Sequence, residues 1–331
     1  MRFKSDTSAE PPARKGNRDH AATPPGPRTP GATGRQQLRR PARLRPRTGP
    51  AGHAPDDACP GQGQAVASVR DRVIATPAGD LPIRIYHPQP DQTRPVVVFF
   101  HGGGFVLGDL DTHDELARAL ANRCGRVVVS VDYPLAPEHK YPAAINAAFA
   151  ATTWVSDNAA ELGGDGADIA VAGDSAGGNL AAVVALMARG AGGPAITHQV
   201  LIYPDLDFRR SNVSIREFAG KYGNISRATQ HWFMDHYLTG EHQKLDPHVS
   251  PLLAPDLQGL PPAFIVTAEF DALRDEGEQY GARLREAGVP TTVNRYEGMI
   301  HEFIRWSFDD AGRALDDIAA ALAQTPVTPR D

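Results

Sequence analysis

The chain runs to 331 residues with a formal charge of −5, enough for one large α/β domain or two ordinary ones. That charge is unevenly spread: residues 1–64 hold twelve Lys/Arg and five Asp/Glu, leaving 22 against 34 for the remainder, so the folded part is acidic and offers no basic face to nucleic acid. Two distant cysteines, no apolar h-region at the N-terminus and no apolar run near about 18 residues argue against a disulfide framework, a secretory signal and a membrane span, and a cytoplasmic protein is expected.

The first 65 residues are rich in Arg, Pro, Gly and Ala and hold few large apolar side chains. They cannot bury enough apolar surface to offset their ordering entropy, so a disordered extension over 1–65 is predicted. From residue 66 the pattern changes. Short β-branched runs predict strands over 69–76, 83–87, 96–100, 127–131, 169–172, 200–203, 263–267 and 291–296. Helical periodicity fills 115–122, 142–158, 178–188, 277–287 and 311–323. The continuous runs VVVFF and VVVSV suit strands covered on both faces. The alternation predicts an α/β protein with a mostly parallel sheet, opened by one or two antiparallel strands and flanked by helices. One connection, 204–262, is far longer than a crossover needs and is rich in aromatics. It is expected to be an inserted helical cap over 205–255, between core segments 66–204 and 256–331.

Gly173, Asp174, Ser175, Ala176 and Gly177 spell G-x-S-x-G between a predicted strand and a predicted helix. Such a turn exposes the serine hydroxyl and tolerates only small neighbours, and the helix start aims free N–H groups at the same place. Ser175 is therefore the candidate nucleophile. HGGGF, residues 101–105, follows a buried strand. Three glycines there make sense if backbone N–H groups must approach a ligand, as in an oxyanion hole. A serine nucleophile needs a base and an orienting acid, which follow it in chain order in this kind of sheet. Asp271 lies just past the strand 263–267 and His301 in the loop past the last strand. Of the other histidines, His101 is expected to brace the glycine loop, while His113 and His139 precede the serine. Neither a metal-ligand cluster nor a cofactor motif is present, so no metal or cofactor is expected.

These residues carry a resemblance to the hormone-sensitive-lipase-like esterases, the bacterial family IV of the α/β-hydrolases. It runs from about 66 to 306 and rests on HGGGF (101–105), DYPLAPEHKYPAA (132–144), GDSAGGNL (173–180), DALRDEG (271–277) and GMIHEF (298–303). The resemblance implies Ser175 as nucleophile, His301 as base and Asp271 as its orienter, with the N–H groups of Gly103, Gly104 and Ala176 as the oxyanion hole. It further implies cofactor-free hydrolysis of short- to medium-chain carboxylic esters, small molecules all, and a homodimer of the kind family members often form. Phe208, Phe218 and Trp232 are candidate pocket walls. Asp132 and Glu138 stand at positions that support the family's site structurally. Two departures are visible: Pro134 replaces a usual Arg, and the Arg/Pro-rich extension stands where members carry helices completing the cap. The second departure makes a catalytically impaired member the alternative. A small-molecule receptor of the same fold is the other; the gibberellin receptors resemble this family but have lost the histidine that this chain retains as His301.

Overall fold

The computed structural model describes residues 64–324, Asn224 excepted; the extension predicted over 1–65 lies outside them but for its last two residues. Strand β1 (Ser68–Thr76) turns through two residues into β2 (Gly79–His87), with Thr76 paired to Gly79. That hairpin makes β2 four residues longer at its start than the predicted run, because pairing with β1 extends it past Pro82, where local pattern is weak. Strands β3 (Arg94–Phe100), β4 (Val127–Val131), β5 (Gly164–Asp174), β6 (His198–Ile202), β7 (Ala263–Ala268) and β8 (Thr291–Tyr296) complete one sheet in the order β1-β2-β4-β3-β5-β6-β7-β8. Only β2 runs against the rest.

The apolar runs behave as doubly covered strands. Along β3, Val96, Val98 and Phe100 pack on one face with α2 (Ala143–Asn158), α3 (Ala176–Ala191) and α6 (Arg274–Glu286). Val97 and Phe99 pack on the other with α1 (Asp114–Cys124) and α7 (Asp309–Leu322). The two-residue period of the strand thus divides one apolar stretch between two cores.

The winding of the chain places a crevice. From β3 the chain moves by α1 to β4 on one side, and then crosses by α2 to β5 on the other side of β3. Loops leaving β3 and β5 diverge, and open α/β sheets bind ligands in that gap beyond the strand C-termini. Phe100 pairs with Gly173, so HGGGF and the Ser175 turn leave the sheet side by side. The long connection after β6 holds α4 (Val213–Phe218) and α5 (Arg227–Tyr237). Helix α5 has eleven residues, while α4 has six, too few for a period to show.

Candidate active site

Ser175 adopts φ 55° and ψ −117°, a conformation costing a non-glycine residue about 1–3 kcal/mol. Its surroundings hold it there: the Ser175 N–H donates to the Ile202 carbonyl at 2.9 Å, and Asn179 and Asp205 N–H groups donate to its own carbonyl at 3.2 Å. The small residues around it are steric necessities. A Cβ on Gly173 would stand 2.2 Å from the Gly177 carbonyl oxygen, and one on Gly177 would stand 1.9 Å from that of Phe100. The side chain is left 9% exposed at the head of α3, where Ala176 is the first helical residue and the first-turn N–H groups have no partner inside the helix.

Beside it lies the glycine loop. Gly103 has φ 121° and Gly104 φ 62°, and a Cβ on Gly103 would meet the Leu107 carbonyl oxygen at 2.0 Å. Among the described residues neither the Gly103 nor the Gly104 N–H has an intramolecular acceptor. By contrast the Gly102 N–H donates to Asp174 Oδ1 at 2.9 Å. Asp174, the residue just before the serine, thereby ties the loop to the turn. Burial opposes its charge, but His113, with Nε2 3.4 Å from Oδ1, draws the carboxyl down to about 2. His101 does brace the loop. Its Nδ1 stands 2.8 Å from the Gly102 carbonyl oxygen, and its ring stacks on Tyr133 at 4.3 Å. Burial, with repulsion from His113, lowers its pKa to about 4 and keeps it neutral.

Asp271 and His301 converge from the ends of β7 and β8. Phe270 donates its N–H to the Met299 carbonyl at 2.9 Å, joining the two loops. Asp271 Oδ2 lies 2.7 Å from His301 Nδ1, and His301 Nε2 lies 3.0 Å from Ser175 Oγ. The Leu273 N–H donates to the other Asp271 oxygen at 2.9 Å, which fixes the carboxylate plane. With Nδ1–H donating to Asp271, Nε2 is the free acceptor for the serine proton. Burial disfavours a charged His301, but the Asp271 carboxylate outweighs it and holds the pKa above the ordinary imidazole value. Only the neutral ring accepts a proton, so kcat/KM is expected to rise with pH through a midpoint above about 6.5 and then level. In Asp271→Asn that midpoint should move to lower pH as the rate falls; a pH–rate profile with an unmoved midpoint would contradict the assignment.

The aromatic residues are distributed less simply. Phe208 is buried between Phe105 and Tyr237, at centroid distances of 6.1 and 6.2 Å. Phe218 is half-buried against Tyr222 and Phe270, the neighbour of Asp271. Trp232 is exposed on α5, its ring 4.1 Å from that of His236. Phe233, one position along, is the residue that reaches the site. Its ring would touch a Cβ on Gly104 at 2.4 Å. Phe233, and not the larger Trp232, shares a helix face with the buried Tyr237 four residues on. The pairing of β3 with β5 brings Asp174 to the loop, where it meets His113 on the connection that continues from the loop to α1.

Residues 97–305 match the family model of the alpha/beta hydrolase fold. Carboxylesterase NlhH of Mycobacterium tuberculosis is 45% identical over 253 residues, covering 73% of this chain and 79% of its own. The ethyl acetate hydrolase of Pseudomonas putida is 35% identical over 252 residues, covering 74% and 78%. A Pyrobaculum calidifontis esterase superimposes with a TM-score of 0.77 at 46% identity, covering 78% of this chain and 86% of that one. The chain belongs to the hormone-sensitive-lipase-like α/β-hydrolases. It is a carboxylic ester hydrolase. Glu138 is exposed and has no ion-pair partner among the described residues. Among the described residues no group of three or more His, Cys, Asp or Glu could hold a metal ion, and no helix is long and apolar enough to cross a membrane.

Proposed function

We propose that this hydrolase cleaves short- to medium-chain carboxylic esters of small molecules through an acyl-serine intermediate. His301 Nε2 takes the Ser175 proton as Oγ attacks the ester carbonyl, and Asp271 stabilises the imidazolium. The carbonyl oxygen, now negative, accepts from the N–H groups of Gly103, Gly104 and Ala176. His301 returns the proton to the departing alcohol. Water, deprotonated by the same ring, then attacks the acyl-serine; collapse returns the proton to Ser175 and releases the acid. The observation that carries this reading is the relay from Asp271 through His301 to Ser175, at 2.7 and 3.0 Å, beside glycine N–H groups with no acceptor among the described residues.

The preference for short acyl groups is supported by the Phe233 ring lying on Gly104, and by the name of the Pseudomonas putida relative, an ethyl acetate hydrolase. We also place residues 205–255 as a cap on a core made of 66–204 and 256–331. A Cβ on Gly223 would stand 3.9 Å from the His301 backbone nitrogen and from the Ile300 side chain, so this segment reaches the loop that carries the base as well as the glycine loop.

Hydrolysis of p-nitrophenyl acetate, butyrate, octanoate and palmitate by the purified full chain tests the substrate class. The highest kcat/KM is expected on acetate or butyrate and the lowest on palmitate. A maximum at palmitate would reject the short-chain reading, and the absence of turnover on all four by folded protein would favour an impaired enzyme.

A further inference from the structure

Phe105 closes the glycine loop at φ 63°, a left-handed conformation that a bulky side chain holds only when its surroundings enforce it. Those surroundings are unusually complete. Its carbonyl oxygen accepts the Ala136 N–H at 2.9 Å. Its ring lies parallel to that of Tyr237, 4.0 Å between centroids and 6° between planes, and only 1% of the residue is exposed. On the preceding residue, Gly104, sits the Phe233 ring. Phe233 and Tyr237 are one helical turn apart on α5, so one face of that helix covers two consecutive loop residues.

The end of α5 is itself fastened to the loop's own support. Lys140 Nζ donates to the carbonyls of Asp235 at 2.7 Å and Leu238 at 2.9 Å, and the Tyr141 N–H donates to the Tyr237 carbonyl at 2.9 Å. The segment that receives α5 is the one whose Ala136 holds Phe105. The contacts therefore close a ring: loop, 136–141 segment, α5, and loop again through the stack. The hydroxyl of Tyr237 is buried without a partner among the described residues, so what the position supplies is a flat ring and not a hydrogen bond.

We infer that Tyr237 and Phe233 are positioning residues for the oxyanion: stacked on Phe105 and laid over Gly104, they hold the Gly103 and Gly104 N–H groups at the angle the tetrahedral intermediate requires. Donors misplaced by about 1 Å lose rate, with little effect on ground-state binding. The inference rests on the acyl-serine reading above.

The test measures kcat and KM on p-nitrophenyl butyrate, together with Ki for a trifluoromethyl ketone, whose hemiketal oxygen occupies the oxyanion position. Tyr237→Leu is expected to lower kcat by about 10–10²-fold and weaken Ki in parallel, with KM within about threefold. Tyr237→Phe keeps the ring and should recover kcat and Ki to within about threefold of wild type. Phe233 is half-buried, so Phe233→Ala keeps the fold and is expected to show the same joint loss at about tenfold. A folded Tyr237→Leu with wild-type kcat and Ki, a loss confined to KM, or a Tyr237→Phe as impaired as Tyr237→Leu would overturn the inference. If Tyr237→Leu does not fold, unchanged kcat and Ki in Phe233→Ala overturn it. Wild type and Ser175→Ala, assayed alongside, judge the acyl-serine reading separately: turnover that survives loss of the serine rejects that reading, whatever the ring variants do.

Discussion

Ser175→Ala is expected to lower kcat on p-nitrophenyl butyrate by about 10⁴ or more, with KM changed far less. The hydroxyl stands 3.0 Å from His301 Nε2 at the head of α3, on the turn that leaves the sheet beside the glycine loop. Without it, no covalent intermediate forms, and the residual rate is what binding and oxyanion stabilisation contribute to direct attack by water. The fold should be untouched, because the Ser175 backbone, not its side chain, makes the bonds to Ile202, Asn179 and Asp205. Rapid mixing gives a second readout: a burst of p-nitrophenol in wild type that is absent from the variant. A variant retaining a tenth of wild-type kcat, folded and free of contaminating esterase, would remove Ser175 from the chemistry.

Gly177→Ala is expected to destabilise the chain by about 3 kcal/mol or more. The added carbon would fall 1.9 Å from the Phe100 carbonyl oxygen and 2.8 Å from that of His101. Both are backbone atoms, one at the end of a strand held between two neighbours in the sheet and one in the residue after it, so no side chain can swing aside. Either α3 lifts from β3 or the fold is lost. In both cases Ser175 leaves its place opposite Gly103 and Gly104, and activity falls with stability. The matched control is Gly190→Ala, exposed near the end of the same helix, where a Cβ meets nothing within 4 Å. That change is expected to stabilise by about 0.5–1 kcal/mol, through helix propensity alone. Equal denaturation midpoints for the two variants would refute the steric account.

The contrast between these two glycines shows what a sequence conveys and what it withholds. Both are glycines in one helix, and a list of motifs marks Gly177 only because it falls in G-x-S-x-G. The reason it must be glycine is the Phe100 carbonyl, 77 positions earlier in the chain, brought within reach by the pairing of β3 with β5. The same pairing sets the Gly102 N–H on Asp174. In the sequence Asp174 is one of the x positions of G-x-S-x-G and His113 a histidine that precedes the serine; their contact exists only in the fold.

Local patterns in the sequence pointed to the eight strands, the five longer helices of the core and the three residues proposed for the relay. Period-2 and period-3.6 apolar patterns report which faces must be buried, and chain order after the serine leaves few places for an acid and a base. What only the tertiary structure decided is which face of α5 meets the glycine loop, and so that Phe233 and Tyr237 touch it while Trp232 faces water and Phe208 is sealed in the core. Successive helical residues differ by about 100° of azimuth, so one position separates a ring over the oxyanion loop from a ring in solvent. That rotation is set by how the helix docks, through Lys140, Tyr141 and the Phe105 stack, and docking is a property of distant residues meeting, which no local pattern records.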